Sequence, residues 1–140
     1  MNEQKLPRPE HPEPQWERKN WVNLNGEWQF ELDQGRSGEI RGLQNEGVKL
    51  SGEITVPFCP ESELSGVNHK DFMAAVWYRR SFTLPKEAAG KRVLLHFGAV
   101  DQICTVYVND REVGRHEGGY LSFSFDITDF LTEGENKLWV

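Results

Sequence analysis

Apolar and polar residues alternate with a period of two along most of the chain, the spacing that places one set of side chains on each face of a β-strand. In GEWQFELD, Trp28, Phe30 and Leu32 alternate with Gln29, Glu31 and Asp33. In GEITVPF, Ile54, Val56 and Phe58 share a face. VWYRRSFTLP places Val76, Tyr78, Phe82 and Leu84 on one side and Trp77, Arg79, Ser81 and Thr83 on the other. KRVLLHFGAV and DQICTVYVND are apolar on both faces, which predicts central strands, and YLSFSFDI alternates again through Leu121, Phe123, Phe125 and Ile127. The final stretch GENKLWV begins another strand.

Turn chemistry separates these runs. Asn109-Asp110 is a tight-hairpin signal because both residue types tolerate left-handed backbone, and Gly118-Gly119 marks a further break. One helical turn is expected at TDFLTEG, with Thr128 as its cap and Gly134 where the chain leaves it. DQGRSGEIRGLQNEGVKLSG is rich in glycine and predicts a long loop. About seven or eight short strands with almost no helix predict an all-β fold, an antiparallel β-sandwich. The prolines of PRPEHPEP favour extended, polyproline-like backbone, so residues 1–20 are expected to form an arm along the surface of a sandwich spanning 21–140.

Length and composition narrow the function classes. A chain of 140 residues with 37% hydrophobic residues can hold one core, burying about two-thirds of its unfolded surface. Its 16 Lys and Arg against 22 Asp and Glu give a net charge of −6, which argues against nucleic acid and anionic membrane as partners. The N-terminus has no apolar leader and no segment is long and apolar enough to cross a membrane as a helix, which predicts a cytoplasmic protein. Cys59 lies between Phe58 and Pro60 with no basic neighbour, and Cys104 falls inside an apolar strand pattern, so neither is expected to be catalytic.

Candidate chemistry is sparse. His11, His69, His96 and His116 stand at no metal-ligand spacing, and no cofactor motif is present. Period two puts Arg80 on the apolar face beside Tyr78 and Phe82, where a guanidinium needs a carboxylate; Asp101 and Asp126 are the candidate partners for a structural ion pair. Of the five tryptophans, Trp77 lies on the more polar face and is the candidate sugar-stacking or domain-contacting ring. The segment CPESELSGVNHKDFMAA, residues 59–75, has the composition of a site rim, and Asn68 and Asp71 are its candidate hydroxyl-binding groups.

Taken in order, WVNLNGEWQFELD, ITVPFCPESELSGV, VWYRRSFTLP, KRVLLHFGAVDQICTVYVNDREVGRHEGGYLSFSFDIT and GENKLWV resemble the N-terminal region of glycoside hydrolase family 2, which contains β-galactosidases, β-glucuronidases and β-mannosidases. The resemblance covers residues from about 16 onward and is most specific from Val93 to Thr128. It implies a jelly-roll, galactose-binding-domain-like sugar-binding domain, followed in the family by an immunoglobulin-like sandwich and a TIM barrel. There two glutamates hydrolyse a β-glycoside with retention. No glutamate of this chain matches those motifs, so the chain is expected to be inactive alone, to require no cofactor or metal, and to lend support and a loop to the sugar site of a larger enzyme. VPFCPESELSG resembles the β-galactosidase-like and β-glucuronidase-like members. In such members the last pattern runs on through further strand residues, so the final strand is expected to be cut short. The alternatives are a free-standing carbohydrate-binding module, which needs a preformed aromatic platform, and a ligand-free structural sandwich.

Overall fold

The computed structural model describes residues 6–140. Eight strands carry the fold: β1 (Gly26–Leu32), β2 (Gly52–Val56), β3 (Val76–Thr83), β4 (Leu94–Phe97), β5 (Ile103–Val108), β6 (Arg111–Glu117), β7 (Phe123–Asp126) and β8 (Glu135–Trp139). The only helical elements among the described residues are single 3-10 turns, so the class is all-β and antiparallel, as the alternation predicts. The chain divides into two compact units. One holds residues 6–43 with Lys49–Tyr78, and the other holds Gln44–Val48 with Arg79–Val140. Strand β3 runs from the first into the second.

In the first unit β1 pairs antiparallel with β2, setting Trp28 opposite Ile54. Trp28, Phe30 and Ile54 are buried, and the Tyr78 ring meets Trp28 and Phe30 edge-on at 6.4 and 5.3 Å, the favoured geometry for aromatic pairs. The proline-rich arm lies against the segment that leads into β1. Asn23 Nδ2 donates to the Arg8 carbonyl at 3.0 Å, Asn25 Nδ2 to the Pro7 and Arg8 carbonyls at 3.2 Å, and the His11 ring meets Trp21 edge-on. Side-chain donors on the docking segment thus satisfy carbonyls of a backbone that forms no ladder of its own.

In the second unit the order is β3-β8-β5-β6, faced by the two-stranded sheet β4-β7. The register places Arg80 opposite Leu138, and Leu138 opposite Val108. Val106, Val108, Leu138, Ile127 and Leu95 make the buried layer. Where β6 faces β7, Gly114 leaves room for Phe125: a Cβ there would lie 2.6 Å from the Phe125 ring. His116 stacks on Phe123 at 3.9 Å, and Phe123 on Phe97 at 4.9 Å. Asn109 and Asp110 turn the β5–β6 hairpin with φ of 50° and 66°, as their residue types predict. The buried Asn136 is a polar hub, accepting from Asn109 Nδ2 and Thr132 N–H and donating to the Thr132 and Gly134 carbonyls.

Sequence expectations change at β4, at Thr128 and at Gly134. Strand β4 is not central: it pairs only with β7 among the described strands, and Leu94 is exposed. Strand β6, with its charged REVGRHE sequence, is an edge that alternation alone does not reveal; charge on an edge discourages pairing with other chains. The turn at Thr128–Phe130 is held from outside by Asp126, whose Oδ1 accepts from Thr128 N–H, while Thr128 Oγ1 accepts from Val93 N–H. Gly134 leads into β8 with φ +85° rather than ending a helix. Strand β8 lies between β3 and β5, with Leu138 and Trp139 fully buried.

Candidate functional site

Residues 59–75 join β2 to β3 and form a laced loop. Ser62 N–H donates to the Cys59 carbonyl and Ser62 Oγ caps the 3-10 turn Glu63–Ser65 by accepting from Leu64 N–H at 3.2 Å. Buried Ser65 holds the interior: its hydroxyl donates to the Ser62 carbonyl at 2.7 Å and accepts from Val67 N–H at 3.1 Å. His69 N–H donates back to the Pro60 carbonyl at 2.9 Å and closes the loop on itself. Farther along, Gln34 clamps the chain by donating to the Phe72 carbonyl and accepting from Ala74 N–H.

Several polar side chains that the lacing leaves unused point outward, whereas the His69 Nε2 is buried. Asn68, in left-handed backbone at φ 50°, is exposed, as are Lys70 and Asp71. Neither Asn68 nor Asp71 has a side-chain hydrogen-bond partner among the described residues. Phe72 is 79% exposed and Leu64 67%. An amide and a carboxylate beside exposed apolar side chains, all on a backbone fixed by internal hydrogen bonds, match the chemistry needed to hold sugar hydroxyls. Below the loop root, the Tyr78 hydroxyl is pushed up to about 12 by burial and by Glu61 and Cys59, so it stays a neutral donor. Cys59 and Cys104 are both free thiols. No group of three or more His, Cys, Asp or Glu side chains among the described residues is placed to hold a metal ion.

Trp77 does not belong to this surface. It is 8% exposed, and its Nε1 donates to Asp33 Oδ2 at 3.1 Å. The same carboxylate accepts from Ser37 N–H at 3.0 Å and Gly38 N–H at 2.7 Å, and a Cβ at Gly38 would overlap the indole. Burial raises the Asp33 carboxyl, but the bonds from Ser37, Gly38 and Trp77, with the Arg41 charge, hold it below its ordinary value. The polar face predicted for Trp77 is therefore roofed by the loop after β1, and the ring is no stacking platform. The same holds for its neighbour in the second unit: buried Arg79 donates to the Val48 carbonyl at 2.6 Å and lies over the Trp139 ring, while Lys137 pairs with Glu46.

Arg80 does share a strand face with Phe82, and burial lowers its pKa. The ion pair of Asp126, however, is with Arg92, whose Nε and Nη2 reach Oδ2 at 2.9 and 2.5 Å. Bonds from the Thr128 hydroxyl, Arg92 and the Thr128 N–H bring the Asp126 carboxyl down to about 2. Arg92 sits just before β4, opposite the end of β7, which is the proximity the register creates and which spacing in sequence does not show. Asp33, Gly38 and Ser65 are the structural residues that sequence inspection passes over; the signal for the first two is the Asp-x-Gly-x-Ser-Gly turn chemistry directly after β1.

Residues 62–140, more than half the chain, match the family described as "Glycosyl hydrolases family 2, sugar binding domain". The β-glucuronidase of Paenibacillus borealis is 29% identical over 119 residues, which is 84% of this chain and 20% of that protein. The β-glucuronidase of Felis catus is 33% identical over 130 residues, 86% of this chain and 20% of that protein. The β-galactosidase of Thermoanaerobacter pseudethanolicus is 42% identical over 65 residues, 46% of this chain and 9% of that protein. Among solved structures, Lactobacillus rhamnosus β-glucuronidase superposes with a TM-score of 0.74 at 32% identity, covering 84% of this chain and 20% of that one. The chain thus spans about a fifth, or less, of the length of these relatives.

Proposed function

Because the chain belongs to the sugar-binding domain of glycosyl hydrolase family 2, we propose that it is the non-catalytic N-terminal domain of an enzyme that hydrolyses β-glycosides. In this reading its sandwich supports immunoglobulin-like and TIM-barrel domains, and the loop 59–75 lends Asn68 and Asp71 to the sugar site. The observation that carries the loop assignment is the contrast within it: Ser62, Ser65 and His69 consume the internal hydrogen bonds, while Asn68 and Asp71 stand exposed without partners. Paired carboxylates that perform glycoside cleavage must be held at fixed separation on rigid elements, and no carboxylate of this chain is assigned that role. A carbohydrate-binding module acting alone is less well supported, since the ring expected to form its platform, Trp77, is buried.

Two measurements test the reading. This chain alone should hydrolyse none of a panel of nitrophenyl β-glycosides, including the galactoside and the glucuronide. In an enzyme that carries this chain joined to the catalytic domains, Asn68→Ala and Asp71→Ala should raise KM by about 3- to 20-fold, the effect of losing one or two hydroxyl hydrogen bonds. Turnover by the chain alone, or unchanged KM in both variants, would overturn the support role or the loop assignment respectively.

A further inference from the structure

Arg79 and Lys137 stand on one face of the β3–β8 pair, and a five-residue strap holds a carboxylate against them. Arg79 is the register partner of Trp139, and Ser81 that of Lys137, so these side chains share a face. The strap is Gln44–Val48. Its Val48 N–H donates to the Asn45 carbonyl at 3.3 Å, and Gly47, third in that turn, adopts φ +84°, left-handed backbone that glycine takes without strain. Glu46 thereby sits at the tip of the turn, where its carboxylate accepts from Lys137 Nζ. The Val48 carbonyl accepts from Arg79 Nη1, and the guanidinium lies 5.2 Å from the centre of the Trp139 ring.

The two sides of this contact differ in burial. The Lys137 side chain is 19% exposed, and Arg79 and Trp139 are buried, whereas the Glu46 side chain is 69% exposed. Trp139 Nε1 is buried and has no acceptor among the described residues, so a donor stripped of water goes unsatisfied while the strap is closed. The hydrogen bond from Lys137, and then the charges of Lys137 and Arg79, hold the Glu46 carboxyl below its ordinary value and keep it ionised. Buried cations met by one exposed carboxylate on a glycine turn form a receptor with a displaceable occupant. We propose that Glu46 fills, in cis, a binding site for an acidic side chain of a partner peptide segment, which lifting of the strap Gln44–Val48 opens. Lys137 and Arg79 are its cationic groups and the Trp139 ring is its floor. The site is independent of the sugar reading and uses none of the residues of the loop 59–75.

The test is a two-dimensional amide and indole titration of the full chain, isotope-labelled, with acetyl-Asn-Glu-Gly-amide and separately with its neutral counterpart, acetyl-Asn-Gln-Gly-amide. In Glu46→Ala, which truncates an exposed side chain and keeps the fold, the signals of Arg79, Lys137 and Trp139 should move with the glutamate peptide. They should stay in place with the glutamine peptide. The affinity should be on the order of millimolar for so short a segment. In the unsubstituted chain the tethered Glu46, at an effective concentration on the order of millimolar, should weaken the same binding about fivefold. Without peptide, the Trp139 indole hydrogen should exchange with solvent about three- to tenfold faster in Glu46→Ala, because the strap opens more often. An equal response to the two peptides, equal affinity in the two chains, or an unchanged indole exchange rate overturns the proposal.

Discussion

Two long strand-free segments flank β2, and they meet opposite fates. The segment after β1 is closed inward: Asp33 gathers the amides of Ser37 and Gly38 and the indole of Trp77, and Leu43 and Leu50 are buried. The segment 59–75 is laced to itself through Ser62, Ser65 and His69, and turns Asn68, Asp71 and Phe72 to solvent. Both are polar and contain glycine, so composition does not separate them. The difference lies in where the backbone hydrogen bonds go. A loop that spends its side-chain acceptor on the core becomes part of the core, whereas a loop that satisfies its own backbone leaves its polar side chains available for a ligand.

The contrast can be broken by substitution, starting with the ring beneath the first loop. Trp77→Ala should destabilise the protein by about 3–5 kcal/mol, through lost burial and the cavity left behind, as read from the midpoint of urea unfolding. Gly38→Ala places a methyl group against the same indole and should cost about 1–3 kcal/mol through overpacking. If either change proves as mild as a surface substitution, the inward loop is not part of the core.

Acid should act on the same knot. The Asp33 carboxyl is held below its ordinary value near 3.8, so its contribution is present above that value and is lost as pH falls through the lower folded one. Asp33→Asn should therefore flatten the dependence of stability on pH below about pH 4. An unchanged acid slope would show that neutral hydrogen bonds, rather than the charge, hold the loop.

Smaller effects belong to the second segment. Ser65→Ala removes a buried hydroxyl that bridges a carbonyl and an amide, and should cost about 1–2 kcal/mol. Asp71→Ala touches nothing in the fold and should stay within about 0.5 kcal/mol in stability, whereas Asn68→Ala removes a residue type that tolerates left-handed backbone at φ 50° and should cost about 1 kcal/mol; both should alter sugar binding if the loop serves it. A loss of stability in Asp71→Ala, or one well above about 1 kcal/mol in Asn68→Ala, would mean that the loop's polar side chains are structural.

Much of the fold is legible in the chain because it is set locally. Alternation in GEWQFEL and ICTVYV identifies β1 and β5, and Asn109-Asp110 turns where its tolerance of left-handed backbone allows. The hairpin turn implies β6, but its edge position carries no signal in the alternation, and β4 is misplaced because an apolar run does not reveal how many neighbours it has. At the candidate site Asn68 and Asp71 are exposed, whereas Trp77 is covered and Asp126 pairs with Arg92 rather than with Arg80.

Taken by itself, the sequence determined the class of structure, the hairpin and the family, because these depend on period-two patterning, on residue-specific backbone preference and on a long ordered set of motifs. Tertiary structure alone decided which polar-looking strand face is buried and which acidic side chain meets which arginine. Those outcomes depend on segments brought together from far along the chain, as Gly38 is to Trp77 and Arg92 to Asp126, and no window of neighbouring residues contains both members of such a pair.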